Sequence, residues 1–445
     1  MSQEVLSLIG ILLSLVFYVY AAIKGWHLLF IAICSTIIVA LFSGMDAVTA
    51  VTGTFATGMA GFWGKYMIMF IGGSLFAKLM GDSGAAFRIA DALKHMCYLS
   101  KNTTTQRVLA VLTIPMINCI LTYGGVTSLI VVFLMVTIAR RLFEDLDIPW
   151  KLYGFAVPGS ATFTVGLLPG SPQPTNLIPM EYLGTQPTAG ALLGIVGAVV
   201  QIGLSVLFLI YEVRRTAKVG EGFLPTGANI VKEIIPDIEI PKYNLLLCLL
   251  PCVVLLVCLN VIDIGIGPSL AAGCLTCYVL FFKEFKRKKC IKSTVAEGIM
   301  RGVSTLTLMS SCSGFGAVIG EASGYMYVIS ALHSIPGPAP FKVWFAVNIA
   351  AGITGSSSGG LSIVLNNLGD YFTSLGIPNA ALHRLISASS IGLDTLPHSS
   401  GVVNACAVSK MTHKELYKYY FMISVVFTNV AALVIALLIS LGIGV

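Results

Sequence analysis

From Val5 to Ile23 no charged residue interrupts the chain, with Glu4 on one side and Lys24 on the other. At about 1.5 Å of helical rise per residue, such a run reaches roughly across the ~30 Å hydrocarbon core of a bilayer. Similar runs recur near 26–44, 66–80, 188–212, 243–262, 264–282 and 416–441. A mean hydropathy of +0.89, with only 11% of residues charged, agrees with them. The reading is an all-α polytopic membrane protein, which excludes a soluble enzyme or a nucleic-acid-binding domain. The net charge of +7 sits mostly in short loops between apolar runs, where membrane topology accounts for it. The start, MSQEVLSLIG, lacks a basic leader region and a cleavage site, so the first helix is expected to be retained.

The eleven cysteines lie mostly inside apolar runs and show no disulfide or zinc spacing. Cys274 and Cys277 form C-x-x-C within SLAAGCLTCYVLFF and read as small buried side chains. No metal or cofactor is expected.

Between the clean runs lie stretches that are apolar but broken. They are CILTYGGVTSLIVV (119–132), VPGSATFTVGLLPGSPQPTN (157–176), GITGSSSGGLSIV (352–364) and GLDTLPHSSGVVN (392–404). In bare lipid such backbone would leave N–H and C=O groups unsatisfied at several kcal/mol each, so it has to be buried in protein or line a cavity.

A polar connector, 214–242, divides the chain into halves 1–213 and 243–445, and the halves match faintly. FAKLMGDSGAAFRIADAL (76–93) sets against FGAVIGEASGYMYVISAL (315–332), and GGVTS (124–128) against GGLSI (359–363). LLPGSPQPTN (167–176) sets against TLPHSSGVVN (395–404), pairing Pro169 with Pro397 and Asn176 with Asn404. Each unit holds two helices, a third spanning helix, a re-entrant Gly-rich hairpin, a broken crossing and a final helix. Five crossings per unit is odd, which makes the two repeats inverted. Charge tests this independently. With the basic loop KEFKRKKCIK (283–292) inside, only Lys65, Lys342 and Arg384 of the 27 Lys and Arg fall outside.

In inverted-repeat carriers the cargo sits near the midplane, where half-helix N-termini face anions and freed carbonyls take cations. The candidates are therefore the hairpin tips and breaks: Thr127, Ser128, Ser171 and Asn176 in the first half, and Ser357, Ser358, Thr395, Ser399 and Asn404 in the second. Their hydroxyls and amides are neutral hydrogen-bonding groups suited to a small polar anion. The competing reading is that small residues here merely pack helices closely; GSSSG (355–359) fits that pattern. Asp394 and His398, four residues apart in the second break, are the candidate proton carriers. Against that, Asp394 reads equally as a half-helix cap. Asp82 and Glu321, at matching repeat positions, read as interfacial caps.

AKLMGDSGAAFRIADAL, LLPGSPQP and ASSIGLDTLPHSSGVVN, followed by MTHKELYKYY, resemble the gluconate permease (GntP) family of the ion transporter superfamily across essentially the whole chain. GLDTLPH is closest to its hydroxybutyrate-type branch. Two departures stand out: the gluconate branch has Pro-Pro-His-Pro where this chain reads Pro169-Gly170-Ser171-Pro172, and an acid beside a Ser in the second break is replaced by Ser399 after His398. The resemblance implies a cytoplasmic-membrane symporter for a small monocarboxylate such as gluconate or hydroxybutyrate. It also implies proton coupling, with sodium the alternative, and a homodimer whose transport part moves as an elevator. Competing classes are an anion channel, which would show no uphill accumulation, and an intramembrane aspartyl protease using Asp82 and Asp394.

Overall fold

A computed structural model describes residues 2–24, 26–94, 102–125, 128–155, 162–232, 243–334, 336–397 and 399–444. All regular elements among the described residues are helices, as expected where a spanning segment has to satisfy its own backbone polar groups.

The first half opens with α1 (Gln3–Ile23) and α2 (Leu28–Ser43). A single turn, α3 (Ala47–Thr49), is capped by Asp46, whose carboxylate accepts from Thr49 N–H at 2.7 Å. The chain then winds through a π-helical stretch, Ala50–Phe55, into α4 (Ala56–Asp82). A short amphipathic α5 (Ala85–Lys94) precedes the pair α6 (Thr103–Tyr123) and α7 (Ser128–Asp145). The first broken crossing follows. It includes the turns Trp150–Leu152 and Phe163–Leu167, a break at 168–173 and α8 (Pro174–Leu183). The last helix is α9 (Ala191–Val219). It carries helical structure beyond Arg214, so the polar connector starts nearer Gly220 than its charges suggest. The extension is held by buried Glu212, which accepts from Arg215 at 2.8 Å. One turn, α10 (Ala228–Val231), lies within the connector.

The second half runs through the same order. It has α11 (Leu245–Asn260), α12 (Ile266–Leu280), a basic turn α13 (Phe282–Lys288), the long α14 (Ile291–Glu321) and short α15 (Tyr325–Ser334). The pair α16 (Ala339–Thr354) and α17 (Ser357–Ser374) leads to the second broken crossing: α18 (Asn379–Ser390), a break at 391–399 and α19 (Ser400–Ser409). The final crossing joins α20 (His413–Phe421) through a π-helical stretch, Met422–Phe427, to α21 (Thr428–Ser440). Five stretches among the described residues are long and apolar enough to cross a membrane: Gln3–Ala21, Thr103–Tyr123, Ala191–Val219, Ile291–Glu321 and His413–Ser440. α13 turns away from α12 by 68°, carrying its basic residues off the apolar path.

The halves interlock by exchange. α4 and α14 form the most extensive helix pair and run antiparallel. Thr54, just ahead of α4, donates to the Glu321 carboxylate at the end of α14 (2.8 Å). Thr294, at the start of α14, donates to the Asp82 carboxylate at the end of α4 (2.6 Å). The helix pair of each half packs on the other half: Tyr18 of α1 stacks on Phe315 of α14 with ring centroids 5.6 Å apart, while α12 packs on α4. The short helices follow suit. Arg88 of α5 donates to Tyr243 O beside α11 (3.0 Å), and Gly324 N–H beside α15 donates to Ser7 of α1 (2.9 Å). Lipid tails are as apolar as these side chains, so close packing and hydrogen bonds of this kind, rather than transfer out of water, hold such helices together.

Candidate functional site

The two broken crossings meet each other. A Cβ built on Gly166, in the first, would lie 2.7 Å from Ser387 O and 2.9 Å from Ile391 Cδ1 in the second, so only glycine permits this approach. Around that contact the second arm of each pair packs on the other half's post-break helix, α17 on α8 and α7 on α19. The hairpin arms and breaks thus converge on one region.

At the first break the helix ends at Leu167, freeing carbonyls that have no intrahelical donor. They are met by Arg384 of α18, which is fully buried. Its guanidinium donates to Leu167 O (3.2 Å), Gly166 O (3.4 Å) and Leu168 O (3.5 Å), and to Pro187 O (3.3 Å) and Ala189 O (2.8 Å) in the loop returning to α9. The positive-inside count places Arg384 in an outside loop. The structure corrects this: the side chain points into the protein and serves as the cap of a broken helix, where a cation complements the C-terminal dipole. Room for it is made by α9 and the residue before it, since a Cβ at Gly194 would sit 2.3 Å from Leu167 O and one at Gly190 2.6 Å from Arg384 Cβ.

Next to it, His383 links Nε2 to Asn176 Oδ1 (3.0 Å) and Nδ1 to Thr185 Oγ1 (2.6 Å). The Asn176 amide also donates to Ser171 O and Pro187 O, both at 2.9 Å, so Asn176 spends its hydrogen bonds holding the break in shape. Ser171 is fully buried, and its hydroxyl has no partner. The end of α6 closes the break from the other side: Gln173 Nε2 donates to Thr122 O (2.7 Å) and Tyr123 OH to Pro169 O (2.9 Å). Thr127 lies outside the described residues, and Ser128 is placed only as the first residue of α7.

At the second break the charge is reversed. Ser357, the first residue of α17, lies beside the Asp394 carboxylate. An acid therefore stands close to a helix N-terminus, where unsatisfied N–H groups favour negative charge. One carboxylate oxygen, Oδ1, is sealed from solvent and has no donor. Nearby, Asn348 Oδ1 is likewise buried without a donor, and it would lie 2.1 Å from a Cβ on Gly392. Thr395 donates to Ser424 (2.8 Å), which donates onward to Tyr420 O (2.7 Å). Ser399 caps α19 by accepting from Val402 N–H (3.2 Å). Ser358 is half-buried in the first turn of α17, its carbonyl accepting from Ser362 Oγ at 2.8 Å. Asn404 is placed on α19 only as backbone, and His398 lies outside the described residues.

Sequence reasoning missed Arg384, His383, Gln173 and Asn348. The available signal was an unpaired His-Arg in the otherwise small and apolar ALHRLISASSIG, directly ahead of the second break. Asp82 does not face Asp394: it pairs with Lys78 (3.0 Å) and Thr294, far along the chain at the α4–α14 seam. No His, Cys, Asp and Glu group suited to a metal occurs among the described residues. An open groove of roughly 660 Å³ along Val51, Phe55, Met59 and Trp63 is apolar and carries no charge. It lacks the groups that an anion needs.

An all-helical chain with several apolar spans and paired breaks buried in protein has the architecture of a membrane transporter. Comparison with known proteins gives the particular family: the GntP family permease model matches residues 5–269, and the chain belongs to that family. It is 28% identical to the uncharacterized transporter YxjC of Bacillus subtilis (strain 168), over 97% of this chain and 98% of that one. In fold it is similar to the crystal structure of the Alcanivorax borkumensis YdaH transporter, described as having an unusual topology. That likeness has a TM-score of 0.54 at 14% identity, covering 89% of this chain and 90% of the other. The protein is a multi-pass membrane permease of the secondary-transporter type, not an enzyme.

Proposed function

We propose that this permease is a proton-coupled symporter of a small hydroxy-monocarboxylate, working by alternating access between two inverted repeats. The observation that carries the reading is Asp394 beside the N-terminus of α17, next to Ser357, with a buried carboxylate oxygen, Oδ1, that has no donor. A helix N-terminus is a site that a cargo carboxylate would also seek. Two anions cannot share it, so the cargo takes the place once Asp394 is protonated, and leaves when Asp394 ionises and reclaims the helix end. Competition for one place couples the proton to the anion. In this reading Ser358 and Thr395 read the cargo's hydroxyl groups, Thr395 by exchanging its bond to Ser424. The exchange of contacts between Thr54 and Glu321 and between Thr294 and Asp82 supports the inverted arrangement, since equivalent helices then run in opposite directions.

One proton with one monoanion moves no net charge. In proteoliposomes, an inward pH gradient should drive accumulation of radiolabelled hydroxy acid that collapses with a protonophore, while a potassium–valinomycin potential alone should drive none. Flux that only runs downhill would favour a channel. The sodium reading has one observation of its own, the two donorless oxygens of Asp394 and Asn348 flanking Gly392. Accumulation driven by a sodium gradient at equal pH would replace the proton with sodium in this scheme.

A further inference from the structure

We infer that Arg384 is a built-in cation at the first break: its guanidinium fills the place where the freed carbonyls of a discontinuous helix would take a coupling ion, which leaves ion coupling to the second break. The inference rests on the inverted-repeat carrier reading above. In such carriers, unwound carbonyls and half-helix C-terminal ends are the groups that coordinate transported cations. Here the carbonyls at the end of the first half-helix, Gly166, Leu167 and Leu168, all accept from one side chain, which also reaches Pro187 and Ala189. That side chain arrives from the opposite half of the molecule, is fully buried, and has no carboxylate among its hydrogen-bond partners. The site is built for it, because Gly190 and Gly194 leave the space through which its methylenes and Nε pass. A second cation among the same oxygens would meet a guanidinium with no intervening anion, an unfavourable encounter in a buried site.

The two halves are not equivalent in this respect. The stretch that matches Arg384 in the first half reads Gly-Phe-Ala-Val-Pro at 154–158, with no ionisable side chain. In the alignment that pairs Pro169 with Pro397, Asp394 falls opposite Gly166. Among the described residues, the first break therefore holds a tethered guanidinium and no acid, and the second holds an acid and neither arginine nor lysine. Arg384 acts as a positioning residue for the broken backbone, and one of two symmetric ion sites is permanently occupied by the chain itself.

Thermal unfolding of the purified protein tests this without measuring transport. In an Asp394→Asn background, which disables the second break, the melting temperature with Arg384 intact should be the same in sodium, methylguanidinium and choline chloride at equal ionic strength. Adding Arg384→Ala should lower it, and sodium or methylguanidinium, but not choline, should restore several degrees by binding the vacated carbonyls. Identical melting of the double variant in all three salts would overturn the inference, as would sodium stabilisation while Arg384 is present. If the Ala variant does not fold, Arg384→Lys and Arg384→Met decide. A retained charge should keep Lys several degrees above Met, whereas Met equal to or above Lys would reduce Arg384 to packing. Loss of uphill uptake in vesicles would refute the symport reading and leave these melting comparisons unchanged.

Discussion

The two breaks, at 168–173 and 391–399, meet each other but have opposite electrostatic character. At the first, an arginine from the other half satisfies five carbonyls and the amide of Asn176 ties down the chain on either side, so the unwound segment is held closed by the protein's own groups. At the second, a carboxylate oxygen of Asp394 is left without a donor beside the amide oxygen of Asn348, whereas the partnerless atoms at the first, Ser171 Oγ and Asn260 Oδ1, belong to neutral groups. A buried acceptor without a donor costs on the order of 1–3 kcal/mol, a cost that persists at sites which gain something by binding. The comparison assigns the first break to architecture and the second to exchange.

The sharpest way to break this division is Asp394→Asn. The amide mimics the protonated acid permanently, so proton-driven accumulation should fall by about 10- to 100-fold, the equivalent of about 1.4–2.8 kcal/mol of coupling free energy, while counterflow of labelled against unlabelled acid persists. Undiminished uphill uptake would show that the proton travels elsewhere. At the first break the expected effect falls on stability. Gly194→Ala drives a Cβ to within 2.3 Å of Leu167 O and 2.9 Å of Arg384 Cδ, so it should cost about 1–3 kcal/mol of overpacking. Gly203→Ala on the same helix meets nothing within 4 Å and should stay within about 0.5 kcal/mol of wild type. Equal melting of the two variants would mean that the Arg384 notch is not tight. The smallest effect belongs to the seam. Thr54→Val and Thr294→Val each remove one hydrogen bond to an acid at the end of the partner helix and should cost about 0.5–1.5 kcal/mol apiece. Thr294 should cost the more of the two, because its partner Asp82 also holds Lys78 at 3.0 Å. A large loss from Thr54 and none from Thr294 would argue against reciprocal packing of the halves.

Much of the frame was legible because its signals are local. Uncharged runs of membrane length, proline and glycine clusters inside apolar sequence, and the shared order Gly-acid, hairpin, Leu-Pro and Asn each act within a few residues of themselves. Asp394 was legible for the same reason, as an acid has few ordinary reasons to sit at that depth. The partners were not legible. Asp394 lies beside Ser357 of α17, His383 meets Asn176 across 207 residues of chain, and Arg384 meets Leu167 across 217. Loop counting misplaced Arg384 because a count of charges treats every basic residue as solvated.

The amino-acid order thus determined by itself that the chain crosses a membrane as helices and where its backbone must break within apolar sequence. Length, hydropathy and the missing N–H of proline impose these without reference to a partner. Only the tertiary structure decided which break is capped by a guanidinium. That depends on carbonyls freed in one half finding an arginine from the other, and a hydrogen bond across 217 residues of chain has no signature in the local sequence of either partner.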